Sequence, residues 1–131
     1  MSEWCSKGPT LEEDIALSNI SLDLFGQANG FYEYAAKLDG SKSPVYLAFK
    51  RNEREFFNHQ LSEQENGNFG RTTVRNFLHD AFSLLFYTEL TSSKDETFAA
   101  LAAKSLKEVK YHFRHSSNWL VRLGDGTKES N

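Results

Sequence analysis

The residues of this chain that could do chemistry are carboxylates and imidazoles on long apolar-periodic stretches. Asp23, Glu53, Asp80 and Glu108 fall in four different stretches, and Tyr111 and His112 lie within about a turn of Glu108. In a bundle of long helices, a carboxylate-bridged di-iron centre takes one Glu from each of two helices. Each of the other two supplies a Glu-x-x-His. The i, i+3 spacing sets both ligands on one helix face, and oxygen with imidazole suits iron. Three segments have this shape: Glu53-Arg-Glu-Phe56, Glu55-Phe-Phe-Asn58 and Glu108-Val-Lys-Tyr111. None carries His in fourth place. His112 follows Glu108 by four residues, and His115 follows His112 at a spacing outside the pattern. Asp23 and Asp80 could supply the single carboxylates. The six positions Asp23, Glu53, Asp80, Glu108, Tyr111 and His112 are therefore read as vestiges of a metal site. No metal, no cofactor and no catalytic residue is expected. The carboxylates should face Lys, Arg or Tyr partners or water, and Lys104 or Lys107 could neutralise a buried one.

Other chemistries find less support. A phosphate-cradling loop needs glycines after a strand, and Gly124-Asp-Gly126 follows a predicted helix. The single cysteine, Cys5, excludes an internal disulfide, fits a reducing compartment and has no histidine at a nucleophile-dyad spacing. His59 and His79 read as surface or capping residues. The net charge of −3 gives no general reason to expect nucleic acid. No apolar run approaches the roughly 18 residues of a membrane span. The first residues, MSEWCSKGP, lack the regions of a signal peptide. A soluble, cytoplasmic protein of one domain, 1–131, is expected. Charge is uneven. Residues 1–40 hold seven acids and two bases, and residues 104–122 hold five bases and one acid. Complementary solvated faces explain this, and so does a docking surface for an acidic partner or a phosphate-bearing substrate.

The elements that would position these residues are helices. Gly8-Pro9-Thr10 followed by Glu13 predicts a capped start, and the spacing predicts helices near 11–38, 45–64, 71–91 and 95–123. Phe98, Leu101, Leu106, Val109, Phe113, Trp119, Leu120 and Leu123 hold the helical period in the last of these, with Asp95 or Thr97 as its cap. Short connections join the four, so the expected fold is an all-α, antiparallel four-helix bundle. The expected core holds Ile15, Leu22, Phe25, Val74, Phe77, Leu78, Ala81, Leu85, Leu101, Val109 and Phe113. The first and third helices are apolar on two sides, which is more than one four-helix core covers. Association is therefore expected, most simply as a two-fold homodimer.

Three blocks carry a resemblance over nearly the whole chain: SEWCSKGPTLEEDIALSNISLDLFGQA (2–28), FKRNEREFFNHQLSEQENGNFGRTTVRNFLHDA (49–81) and AAKSLKEVKYHFRHSSNWLVRLGDGT (102–127). Together they resemble the structural subunit of the bacterial ring-1,2-phenylacetyl-CoA epoxidase, a ferritin-like family of phenylacetate catabolism. The resemblance implies a ferritin-like bundle and a place in a multicomponent oxygenase supplied by a separate reductase. It also implies a non-catalytic role beside an iron-binding catalytic subunit. A carboxylate di-iron oxygenase with altered ligands and a free-standing helical interaction protein are the alternatives. Members of the family extend further at both ends, so the chain is expected to be truncated at both.

Overall fold

A computed structural model describes residues 2–126, with the backbone alone for Ser2; Thr127, at the end of the third block, lies outside the described residues. Four α-helices carry the described residues: α1 (Leu11–Asp39), α2 (Pro44–Phe49), α3 (Phe69–Leu90) and α4 (Glu96–Gly124). Two short 3-10 turns, Ser2–Trp4 and Glu53–Glu55, complete the regular structure, with no strand among the described residues. The all-α class expected from the sequence is what is observed. The chain divides into two compact units, residues 1–57 and 58–131.

In the first unit, Thr10 caps α1 by accepting from the Glu13 amide at 3.4 Å, and Gly40 ends it in the left-handed region at φ 68°. A left-handed residue at that position is what glycine adopts without a Cβ penalty. The approach to α1 is tied twice more. The Gly8 amide donates to Asp14 Oδ1 at 2.6 Å, and Cys5 Sγ lies 3.1 Å from Ser18 Oγ. Cys5 is thus a partly buried packing residue with a hydroxyl neighbour.

The helix expected over 45–64 does not form. α2 is six residues long and stops at Phe49. Past it the chain reads Lys50-Arg-Asn-Glu-Arg-Glu55, with no apolar residue to hold a helix against anything. Asn52 instead opens a 3-10 turn, and its amide donates to Glu55 Oε2 at 2.6 Å. Arg51 fixes this segment. Its guanidinium stacks on Phe56 at 4.1 Å and donates to the Tyr32 hydroxyl of α1 at 3.2 Å.

The second unit is an antiparallel pair, α3 and α4. Asn68 caps α3 through the Arg71 amide (2.8 Å) and Asp95 caps α4 through the Phe98 amide (2.9 Å). Phe69 meets Trp119 edge-on at 5.0 Å near one end, and Phe77 stacks on Phe113 at 5.5 Å in the middle.

The core differs from the expected one. Among the described residues the buried apolar ones are Leu17, Ile20, Ala36, Ala102 and Val109, and of these the expected core includes Val109 alone. Ile15, Leu22, Phe25, Val74, Leu78 and Leu85 are exposed, Leu85 at 71%. Phe77, Ala81, Leu101 and Phe113 are half-buried. The physical reason lies in the residues of the α3–α4 contact. On α4 the buried residues are Ala102, Ser105, Val109, His112 and Ser116; on α3, Thr72, Thr73, Asp80 and Ser83. On α4 they step by three and four, the heptad of a helix–helix seam. Phe69–Trp119 and Phe77–Phe113 flank these small residues across the pair, while Val74, Leu78, Phe82 and Leu85 are left on the outer side of α3.

Candidate functional site

Asp80 and His112 are the vestige positions that the fold brings into one buried place, the polar part of the α3–α4 seam. Ser116 donates its hydroxyl to Asp80 Oδ2 at 2.8 Å, in a buried setting. Ser116 Oγ is also 3.1 Å from the His112 carbonyl oxygen. His79 Nδ1 lies 3.8 Å from Asp80 Oδ1 at the seam's edge. His112 is 1% exposed, the largest side chain so completely enclosed among the described residues. Further along the seam, Tyr87 pairs with the Ser105 hydroxyl, and Glu108 is near enough to act on it electrostatically. Burial pushes the Tyr87 phenol up from its ordinary value. The Ser105 hydrogen bond opposes this, and the Glu108 charge adds to it.

The other positions scatter. Tyr111 is exposed on the outer face of α4, where Arg114 lies over its ring at 5.7 Å. Glu108 is half-buried. Asp23, in the first unit, is half-buried on α1, and Glu53 is exposed in the 3-10 turn. The expected partners of Asp80 need correction: a serine hydroxyl and a histidine edge take the place of Lys, Arg or Tyr. Lys104 and Lys107 do not neutralise a buried carboxylate, because both are exposed on the far side of α4. A buried carboxylate needs hydrogen bonds more than a distant cation, and the seam supplies one from the facing helix.

This donor set does not fit a di-iron centre. Among the described residues, no three of His, Cys, Asp and Glu come together in a way that could hold a metal ion. Nor is the seam a nucleophilic triad: the Ser116 hydroxyl is committed to the carboxylate directly, with no imidazole between them. Ser105, Ser116, Thr73 and Tyr87 are seam residues that the sequence reading misses. The signal for them is the heptad spacing of small polar residues, but the large apolar residues compete with it on the same helices.

The outer side of α3 holds the other notable surface. Val74, Leu78, Phe82, Leu85 and Phe86 form an exposed apolar stripe opposite the seam. The segment preceding α3 covers part of it. His59 meets Phe82 edge-on at 5.1 Å. Arg75 holds the Gln64 carbonyl at 2.8 Å and Asn66 Oδ1 at 2.7 Å. Leu61, Val74 and Leu78 line a groove of about 340 Å³ left between that segment and the helix.

A family profile described as "Phenylacetic acid catabolic protein" matches residues 1–131. The chain is 49% identical over 130 residues to a curated protein of Escherichia coli (strain K12) that is named as one of the subunits of 1,2-phenylacetyl-CoA epoxidase. The match covers 99% of this chain and 52% of that protein, so the chain spans about half the length of the curated relative. No helix among the described residues is long and apolar enough to cross a membrane. With the profile running from end to end and nearly half of all positions shared with a curated relative, the chain belongs to the phenylacetic acid catabolic protein family.

Proposed function

We propose that this chain is a non-catalytic, structural subunit of a multicomponent phenylacetyl-CoA ring epoxidase. There it pairs with the iron-binding catalytic subunit in the cytoplasm. The observation that carries the reading is the 49% identity, over 130 residues, to a protein named as a subunit of that enzyme. The seam agrees with it. Asp80 is paired with a serine, and within the same unit Tyr111 lies on the outer face of α4. We take 1–131 as one functional domain, because one family profile runs through both units. The apolar stripe of α3 is the surface we assign to the catalytic subunit. In its absence, copies of this chain pair through the same stripe as a two-fold homodimer.

The test is co-expression with the catalytic subunit of a phenylacetyl-CoA epoxidase, followed by size-exclusion chromatography and metal analysis. The two chains should elute together, with iron in the mixed complex and none retained by this chain alone. Separate elution at every salt concentration would refute the pairing. Stoichiometric iron on this chain by itself would overturn the non-catalytic assignment.

A further inference from the structure

The face of α4 turned away from α3 carries Lys104, Lys107, Lys110, Arg114 and Arg122, all of them at least partly exposed. The first four span about 15 Å of helix at 1.5 Å per residue, with one cation on nearly every turn. No ion pair engages any of them among the described residues. The contacts that two of them make are to rings: Arg114 over Tyr111, and Arg122 over Trp119 at 5.4 Å. Glu108 is the acid within this stretch, and it lies toward Tyr87 instead. Like charges three or four residues apart destabilise a helix. The row places Lys104–Lys107, Lys107–Lys110 and Lys110–Arg114 at those separations. A helix that breaks this local rule along its length, in a chain of net charge −3, has a use for the row beyond solvation.

We propose that this cationic ridge is a docking surface for a second protein that presents carboxylates along one helix face. Three observations select that occupant. A ridge on the outside of a helix is convex, whereas small anionic ligands are held in concave sites. The chain has a pI near 5.8, far from the basic domain that nucleic-acid binding requires. The cations recur at helical spacing, and an antiparallel or parallel acidic helix matches that spacing turn for turn. The ridge and the α3 stripe lie on opposite outer sides of the same helix pair, so the partner on one is not the partner on the other. The apolar side suits a lasting interface. The charged side suits a partner that is steered in, exchanges readily and is sensitive to salt. This goes beyond the subunit assignment and does not depend on it.

The full chain is titrated at low and at physiological ionic strength with two synthetic helical peptides of equal composition, and with oligothymidylate of equal charge. One peptide has its glutamates along one face; the other has them scattered around the helix. The facial peptide should bind about tenfold more tightly than either competitor, and its affinity should fall steeply with salt. K104E/K107E/K110E should abolish the preference while keeping the wild-type circular dichroism, and should bind a facial lysine peptide instead. Should that variant misfold, K107Q/K110Q should still weaken the facial peptide selectively. Equal affinity for both peptides, tighter binding of the oligonucleotide, or undiminished binding by the charge-reversed or neutralised chain would overturn the proposal.

Discussion

At the scale of single residues, the seam couples stability to a few polar contacts. Asp80 is buried and Ser116 is its hydroxyl donor. Ser116→Ala should cost about 1–3 kcal/mol, because the carboxylate stays in place and loses a partner. Asp80→Asn in the same background should recover part of that loss, as an amide is less costly to leave underbonded than a charge. Urea denaturation of the two variants and their combination measures this; additive losses would show that the two side chains do not interact. Tyr87 makes the seam pH-sensitive. A phenol whose pKa rises on folding holds its proton more tightly in the folded chain. Its contribution is fully present below the unfolded value of about 10 and is lost as pH rises through the higher folded value. Stability should therefore fall faster in wild type than in Tyr87→Phe as pH rises above about 10. Identical slopes in chemical denaturation at those pH values would contradict this assignment.

At the scale of elements, α3 and α4 are apolar and polar in an unusual order. Their buried positions are Ala, Ser, Thr and Val, with His112 and Asp80 enclosed; Phe69–Trp119 and Phe77–Phe113 meet half-buried across the pair, and Val74, Leu78, Phe82 and Leu85 of α3 face outward. Truncations should follow this order rather than side-chain size. Val109, 2% exposed, should lose about 1.5–3 kcal/mol on replacement by Ala. Leu78, 48% exposed, should lose less than about 1 kcal/mol in the isolated chain, well short of the roughly 2–5 kcal/mol of a buried leucine. Thermal or urea melts of the two variants decide it, and a larger loss at Leu78 would place the core on the other side of α3.

At the scale of the whole molecule, the apolar surface that folding leaves uncovered sets the behaviour in solution. Exposed stripes on α1 (Leu11, Ile15, Leu22, Phe25) and on α3 (Val74, Leu78, Phe82, Leu85) exceed the scattered apolar residues usual on a monomer. Light scattering at micromolar concentration should show a dimer. Leu78→Glu with Leu85→Glu should return it to a monomer and, on the proposed role of the stripe, block co-elution with the catalytic subunit. Charge reversal of the α4 ridge should leave that co-elution intact. A wild-type monomer that binds no apolar dye would remove the basis for assigning the stripe to an interface.

Helix type and most helix ends were legible in the sequence, because caps and periodicity act within a few residues. Thr10, Gly40, Asp95 and the heptads of α4 each act locally. The three resembling blocks, in order along the chain, carried the family. The failed helix over 45–64 was legible too, in the lack of apolar residues after Phe49, but two phenylalanines beyond it imitated a periodic face. Which side of each helix meets its neighbour was a different matter. α1 and α3 are apolar on two sides, and periodicity ranks those sides by bulk. On α3 the tertiary structure buries the side of Thr72, Thr73, Asp80 and Ser83, whereas on α1 it buries the side of Leu17 and Ile20. That is why Asp80 found Ser116, and Tyr87 found Ser105, across α3 and α4, while Leu78 and Leu85 were left facing outward.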